Sequence, residues 1–491
     1  MKKFILPIFV FALFPLVSLS SANTTPFSTF VGGSQFDSIK ASAVLEDGSI
    51  IVVGHTNSLD YPTTAGAFDT TCGTDTACQS GFLIGDAFVS KFSADGTLVF
   101  STFLGGSQDD GAHDVAITAD GTIVVVGYTK STDFPTTAVA FDQSYNDFDG
   151  AEFGDGFIAK LSSDGSQLLY STYIGSSSQD EILNVVTQNN DVYFSGFTQS
   201  DNFPTTTGAF DTGQNGNADV FVSKLSSDGT SLSYSTFLGG DAFDSAHGLA
   251  VNPAGEVTVA GLTRSNNFPV TTGAADTIMA GSSEGFVARL NNSGSALIYN
   301  TFIGGSSSDS LDDLVLDDLG RAHVIGTTLS SDFDATAGAF DTSKSNQDDG
   351  FFSILNETGS AIVYTTFTNL FSSGRQSGVA IDLADDGSVF LGLSISETGS
   401  FGQREPGFLW LNPAGNGASD LLLDCRQCFR FDEGELMDIN VGQNGIVLVG
   451  ETDDSNFSVS SGAFDSSHNG DHDGFVIHQL TPTSNDVDLT F

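Results

Sequence analysis

An all-β fold, a seven-bladed β-propeller with four antiparallel strands per blade, is what this 491-residue sequence predicts, on the strength of three recurring landmarks. The first is an aromatic-x-Thr-aromatic stretch, as in Phe100-Ser101-Thr102-Phe103, whose threonines fall at Thr29, Thr102, Thr172, Thr236, Thr301 and Thr366. The second is a glycine closing a strand-like run: Gly54, Gly127, Gly196, Gly261, Gly326, Gly392 and Gly450. The third is an acidic residue two before a phenylalanine, as in Asp86-Ala87-Phe88, degenerate in the sixth copy, where Glu405 stands one residue farther from Phe408. Successive threonines lie 64 to 73 residues apart, too long and too uneven for solenoid coils.

Each unit holds four strand-like runs, named A to D from the axis outwards. In the second unit these are 112–118, 122–129, 156–161 and 167–174. Asp120-Gly121 and Asp164-Gly165 separate the first pair and the last pair, and Asp-Gly between β-branched runs signals a hairpin. Strand A is rich in small residues, as in Ala246-His247-Gly248-Leu249-Ala250, which suits crowding near an axis. The expected units are 32–104, 105–174, 175–238, 239–303, 304–368, 369–424 and 425–491. Two segments compete for the outer strand of blade seven. Phe27-Ser28-Thr29-Phe30 keeps the full aromatic-Thr pattern and Asp488-Leu489-Thr490-Phe491 half of it, so 27–31 is expected to close the ring. The losing segment would be an edge strand able to pair between molecules, so the chain is expected to be a monomer or to self-associate weakly through its terminal strands.

Lys2 and Lys3, an apolar run from Phe4 to Val17, and the small residues up to Ala22 have the form of a secretory signal peptide over residues 1–22. The run is short and broken by Pro7 and Pro15, so no transmembrane segment is expected. The expected location is therefore secreted: extracellular, cell surface or periplasm of a bacterium. Four cysteines form two local pairs, Cys72 with Cys78 and Cys425 with Cys428, and an oxidising destination makes two short disulfide loops the expectation. Without βαβ context, Cys425-Arg426-Gln427-Cys428 does not read as a redox motif.

Composition removes some functions. Sixty-one acidic against 15 basic residues, a formal net charge of −46, excludes a non-specific nucleic-acid binder and argues against anionic lipid. Partners are expected among extracellular proteins or glycans.

Tyr234-Ser-Thr-Phe-Leu-Gly-Gly240, Asn267-Phe268-Pro269 and Asp219-Val-Phe-Val-Ser-Lys-Leu225 resemble the SBBP-type β-propeller repeat of secreted bacterial proteins. The resemblance covers nearly all of the chain after the signal. Blade five replaces the proline of its Phe-Pro segment with Asp334, blade six lacks that segment, and blade seven opens on the cysteine pair. The resemblance implies architecture and export, and no shared catalytic residues.

Alternating strand direction places the long B–C and D–A connections on one face, where binding is expected. Two acidic sets fall there. One enters strand A: Asp37, Asp110, Asp180, Asp244 and Asp309, with Glu433 matching and Gly374 in blade six. The other precedes strand C: Asp86, Asp155, Asp219, Glu284, Asp349 and Asp473. An aspartate entering a turn commonly accepts the N–H groups of its own loop, and a repeat preserves that chemistry. The alternative is Ca²⁺, which wants several carboxylate and carbonyl oxygens. Asp147 with Asp149, and Asn469, Asp471 and Asp473, have alternating ligand spacing, without the twelfth-position glutamate of an EF-hand. Phe203 and Phe210 are expected to tuck under their loop. His113 and His247 sit at equivalent positions and could reach the channel mouth. The leading expectation is a non-enzymatic secreted or cell-surface binding scaffold presenting long acidic loops. The alternative is an extracellular metal-dependent hydrolase or lyase with its site at the channel mouth.

Overall fold

The computed structural model describes residues 26–73, 78, 85–146, 154–345, 348–369, 375–396, 405–413, 423–430, 434–443 and 445–480, with the side chains of 405, 412–413 and 423–430 outside the description. Seven sheets of four antiparallel strands make seven blades. In blade one the strands are Asp37–Val44, Ile50–Thr56, Asp86–Phe92 and Leu98–Leu104. Blade seven takes Glu435–Gly442, Gly445–Thr452 and Asp473–Gln479 from the C-terminal end and Phe27–Val31 from the N-terminal end. The pairing runs from Phe27 opposite His478 to Val31 opposite Gly474, so the first described strand fastens the last blade. No described helix is long and apolar enough to cross a membrane.

Apolar residues alternate along each strand onto faces that pack against the next blade, so the core is a set of clusters between blades. At five junctions among the described residues the first aromatic of strand D lies under the C–D turn of the following blade. A Cβ on Gly229 would lie 2.5 Å from the Tyr170 ring, and Gly229 has φ +72°, a conformation that only glycine adopts without strain. Gly229→Ala is expected to lower stability by about 2 kcal/mol or more, the sum of the backbone penalty and a displaced ring. A urea denaturation midpoint equal to that of the parent would count against this packing.

The long B–C connections do not stand free. In blade three, Thr206 N–H donates to the Ser235 carbonyl of strand D (3.1 Å), and Asp211 N–H to Thr236 Oγ1 (2.9 Å). Phe237 N–H donates to the Asp211 carbonyl (3.1 Å). Phe210 N–H donates to the Gly294 carbonyl in the C–D turn of blade four (2.8 Å). The loop thus runs down the outer edge of its own blade and hooks the next one. This is the role of the repeated threonine: it holds the loop's aspartate. Phe203 is buried against Phe221, ring centroids 4.5 Å apart, and Phe210 packs onto the neighbouring cluster. These straps occupy the outer edges that would otherwise offer free backbone groups. The segments 74–77, 79–84 and 147–153 of the two longest loops, residues 1–25, on which the expected signal peptide falls, and the terminal segment 486–491 lie outside the described residues.

Cys72 and Cys78 form a disulfide and are buried. Cys425 and Cys428 stand in strand D of blade six, opposite Leu411 and Leu409, with side chains outside the description.

Candidate functional site at the blade junctions and channel mouth

The two acidic sets expected to face solvent are inside the protein. All eleven carboxylates, Asp37, Asp110, Asp180, Asp244, Asp309, Asp86, Asp155, Asp219, Glu284, Asp349 and Asp473, are buried. Nor are they two rings. Every residue of the strand C set except Asp349 meets the residue entering strand A of the following blade across the first glycine of a Gly-Gly or Gly-Ser step. A Cβ on Gly105 would lie 2.6 Å from Asp86 Cγ and 2.9 Å from Asp110 Oδ2. Gly32 stands likewise between Asp473 (2.7 Å) and Asp37 (2.9 Å), and Gly175 between Asp155 (2.6 Å) and Asp180 (2.8 Å). Gly304 lies between Glu284 and Asp309, both at 2.9 Å, and Gly239 lies against Asp219, the partner of Asp244.

The strand A member has both oxygens bonded in Asp37 and Asp244, whereas Oδ1 of Asp110 and of Asp309 is buried without a hydrogen bond. Asp244 Oδ2 accepts Gly240 N–H (2.7 Å) and the Ser265 hydroxyl (2.8 Å), and Oδ1 accepts the Thr263 hydroxyl (2.5 Å). The strand C member accepts loop N–H on one oxygen, as Asp219 Oδ2 does from Asn215 (2.9 Å), Asp473 Oδ2 from Asn469 (2.7 Å) and Glu284 Oε1 from Ala280 and Gly281 (2.6 and 3.1 Å). Its second oxygen is buried without a hydrogen bond in Asp86, Asp219, Glu284 and Asp473. Burial pushes the Asp86 carboxyl up to about 8, and the nearby Asp110 charge adds to it. Burial likewise pushes Asp37, Asp110 and Asp219 up to about 7.

Of the other proposed metal ligands, Asn469 gives its N–H to Asp473 and its amide to Asp465 (2.8 Å), and Asp471 is exposed. Asp147 and Asp149 lie outside the described residues. Among the described residues no three His, Cys, Asp or Glu side chains are arranged to hold a metal ion.

A second feature was not anticipated. Strand A carries a β-bulge in every blade, and the bulged residues are Lys40, His113, Leu183, His247, Asp312, Val379 and Met437. All seven are half-buried around the channel mouth. The bulge explains the second sequence landmark: a Cβ on Gly54, Gly127, Gly196, Gly261, Gly326 or Gly450 would collide with a strand A carbonyl just before the bulge. His113 Nε2 lies 3.4 Å from Glu181 Oε2, and Lys40 Nζ 3.7 Å from Glu451. His247 Nδ1 lies 3.0 Å from the Leu311 carbonyl, and its ring neighbours Asp312, a carboxyl raised by burial. Beside them a 390 Å³ cleft is lined by Asp312, Asp348, Arg375, Ser377, Ser394 and Glu435.

One residue past the bulge, aspartates tie the blades together inside the channel. Asp114 accepts Val185 N–H of blade three (2.7 Å), and Asp313 accepts Ile381 N–H of blade six (2.8 Å). Asp438 accepts Ser42 N–H of blade one (2.8 Å), and Asp382, two residues deeper, accepts Val441 N–H of blade seven (2.7 Å). The only sequence signal for these was an aspartate in an otherwise apolar strand A.

No family model matches the chain, and no curated protein matches it. Among solved structures 206 chains match. One is hydrazine synthase of Kuenenia stuttgartiensis, at 9% identity and TM-score 0.45, covering 91% of this chain and 98% of that one. Another is an ulvan lyase bound to a sulfated saccharide, at 8% identity and TM-score 0.44, covering 87% and 93%. A third is the β-propeller domain of the trilobed protease from Pyrococcus furiosus, at 10% identity and TM-score 0.41, covering 94% and 98%. Likeness at this level carries no assignment of activity.

Proposed function

We propose that this chain is an exported SBBP-type propeller that works as a non-enzymatic binding scaffold, engaging an extracellular protein or glycan at the channel mouth. The observation that supports it is the contrast between neighbouring positions in strand A. The aspartate entering the strand repeats in five blades. The bulged position three residues later is Lys, His, Leu, His, Asp, Val and Met in turn. A bulge re-aims a side chain and is a common device beside functional sites. Here a repeated frame carries seven side chains of six different kinds to one place, which suits recognition of an asymmetric ligand. The buried Cys72–Cys78 disulfide suits an oxidising destination.

A metal-dependent hydrolase or lyase at the same mouth is favoured by one observation: the His113–Glu181 pair and the His247–Asp312 neighbours both stand there. One experiment separates the two. Arrays of extracellular polysaccharides and peptides are probed with the parent protein and with a Lys40→Ala, His113→Ala, His247→Ala variant. Binding by the parent, lost in the variant, with no new reducing ends or double bonds in the bound polymer, is the expected result. Turnover abolished by His247→Ala alone would make the protein an enzyme. Binding unaffected by the triple change would remove the channel mouth from consideration.

A further inference from the structure

We propose that each of five blade junctions is a calcium site, the ion held between the paired carboxylates Asp473 and Asp37, Asp86 and Asp110, Asp155 and Asp180, Asp219 and Asp244, and Glu284 and Asp309. This goes beyond the binding role above and does not depend on it. Two carboxylates facing each other inside a protein cannot both stay charged without a compensating charge. Asp37 and Asp244 have both oxygens hydrogen-bonded. Asp86 Oδ1, Asp110 Oδ1, Asp219 Oδ1, Glu284 Oε2, Asp309 Oδ1 and Asp473 Oδ1 are buried and without a hydrogen bond, so each of these four junctions holds at least one unsatisfied carboxylate oxygen. Those of Asp86, Asp219 and Asp473 are aimed at the space beside the glycine, where a Cβ would lie 2.9 Å from Asp86 Oδ1 and from Asp110 Oδ2, or 2.7 Å from Asp473 Oδ1 and 2.9 Å from Asp37 Oδ2. Two carboxylates with water and backbone oxygens are ligands that Ca²⁺ accepts in irregular geometry.

The junction between blades five and six supplies an internal control. The strand A aspartate is missing there: the bulge register puts Gln376 at that position rather than Gly374, and Gln376 N–H donates to the Asp348 carbonyl (3.0 Å) as Asp110 N–H does to Gly85 (2.8 Å). The remaining carboxylate, Asp349, is buried and takes an amine instead: Lys344 Nζ lies 3.0 Å from its Oδ2. Ser345 donates its N–H to the same carboxylate (2.5 Å) and its hydroxyl to the other oxygen. No oxygen of Asp349 is left over. The glycine has gone as well, because Asn369 occupies the position of Gly304. Three changes thus occur together: when the second carboxylate is lost, a lysine supplies the positive charge and the space for an ion is no longer kept open by glycine. The same covariation argues against a purely structural reading, in which one more N–H donor would serve as well as a charge.

The test is calcium content by mass spectrometry of the full-length exported protein. The protein is equilibrated with about 1 mM free Ca²⁺, the range to which extracellular calcium modules are tuned. The pH is about 9, above the value of about 8 to which burial raises Asp86. One calcium per paired junction is expected, together with a melting temperature higher in Ca²⁺ than in chelator and less responsive to Mg²⁺. Asp219→Asn is expected to remove one ion and Lys344→Gln none. Should Asp219→Asn not fold, Glu284→Gln reports on a second junction in the same way. A folded protein that holds no calcium and melts identically in Ca²⁺ and chelator would overturn the proposal and leave protons as the compensating charge. Calcium content unchanged by both Asp219→Asn and Glu284→Gln would overturn it too, by placing the ions elsewhere.

Discussion

A chain lacking residues 23–31 is expected to lose its closed ring, while one lacking residues 486–491 keeps it. The strand Phe27–Val31 is the whole outer edge of blade seven. Phe27, Phe30 and Val31 are buried, and they serve different clusters: Phe27 and Val31 pack with blade one, Phe30 with the core of blades six and seven. Phe27 also fills the space over Gly96 in the C–D turn of blade one, where a Cβ would lie 2.7 Å from its ring. The backbone is tied twice, to Asp473–Gln479 on one side and to the blade-seven loop on the other, where Asp465 N–H donates to Thr29 Oγ1 (2.9 Å) and Ser460 N–H to the Ser28 carbonyl (3.0 Å). Emptying the site of one buried phenylalanine costs about 3–5 kcal/mol. Two phenylalanines, a valine and the unpaired strand behind them therefore approach the whole stability of an ordinary domain, about 5–15 kcal/mol. Circular dichroism melts of the two truncations measure this directly. A stable protein without 23–31 and an unfolded one without 486–491 would show that blade seven is closed from the other terminus.

Strand count, blade count and the two hairpins of each blade were legible because each depends on local chemistry repeated seven times. An Asp-Gly turn looks the same wherever it occurs, and Gly121, at φ +79°, has the conformation its turn demands. The acidic positions were legible as positions and misjudged as surface. Their meaning lies between blades: Asp86 belongs to blade one and Asp110 to blade two, and a repeat read unit by unit shows two rings instead of one set of pairs. The constant offset of 24 or 25 residues between the two members was the available signal. The bulges were hidden for a different reason. A bulge adds one residue to strand A, and hydrophobic alternation in a strand of small residues is too weak to show the slip. Its trace was the glycine closing strand B, which looked like a strand terminator and is in fact the space that strand A's carbonyl enters. The long B–C loops looked like free binding loops because they are polar. Their threonine and aspartate contacts to strand D depend on a fold-back that local sequence does not encode.

Stability is expected to fall as pH rises from about 4 to about 7, the reverse of an ordinary acidic surface protein, because of the aspartates inside the channel. Burial pushes Asp114 and Asp382 up to about 7, and it raises Asp313 and Asp438 as well. The groups reinforce one another, since the Asp438 charge raises Asp114, Asp313 and Asp382. Such a carboxyl binds its proton more tightly in the folded chain than in the unfolded one. Its contribution is complete below the unfolded value near 4 and is lost as pH climbs through about 7. A shift of about three units corresponds to about 4 kcal/mol at most. These side chains line a channel and are only half-buried, so solvent screening reduces the contribution to about 1–2 kcal/mol each. Asp114→Asn isolates one group, and asparagine already stands at the same place in blade three as Asn184. That variant should lose part of the decline in urea midpoint between pH 5 and 7 at constant ionic strength. Asp120→Asn is the control, because Asp120 sits in an exposed turn where the Thr118 and Thr122 hydroxyls hold it down near 2, outside that window. Midpoints that rise over this range, or an Asp114→Asn variant with the parent's slope, would mean that the channel carboxylates stay ionised and that the N–H groups of the next blade compensate their charge unaided.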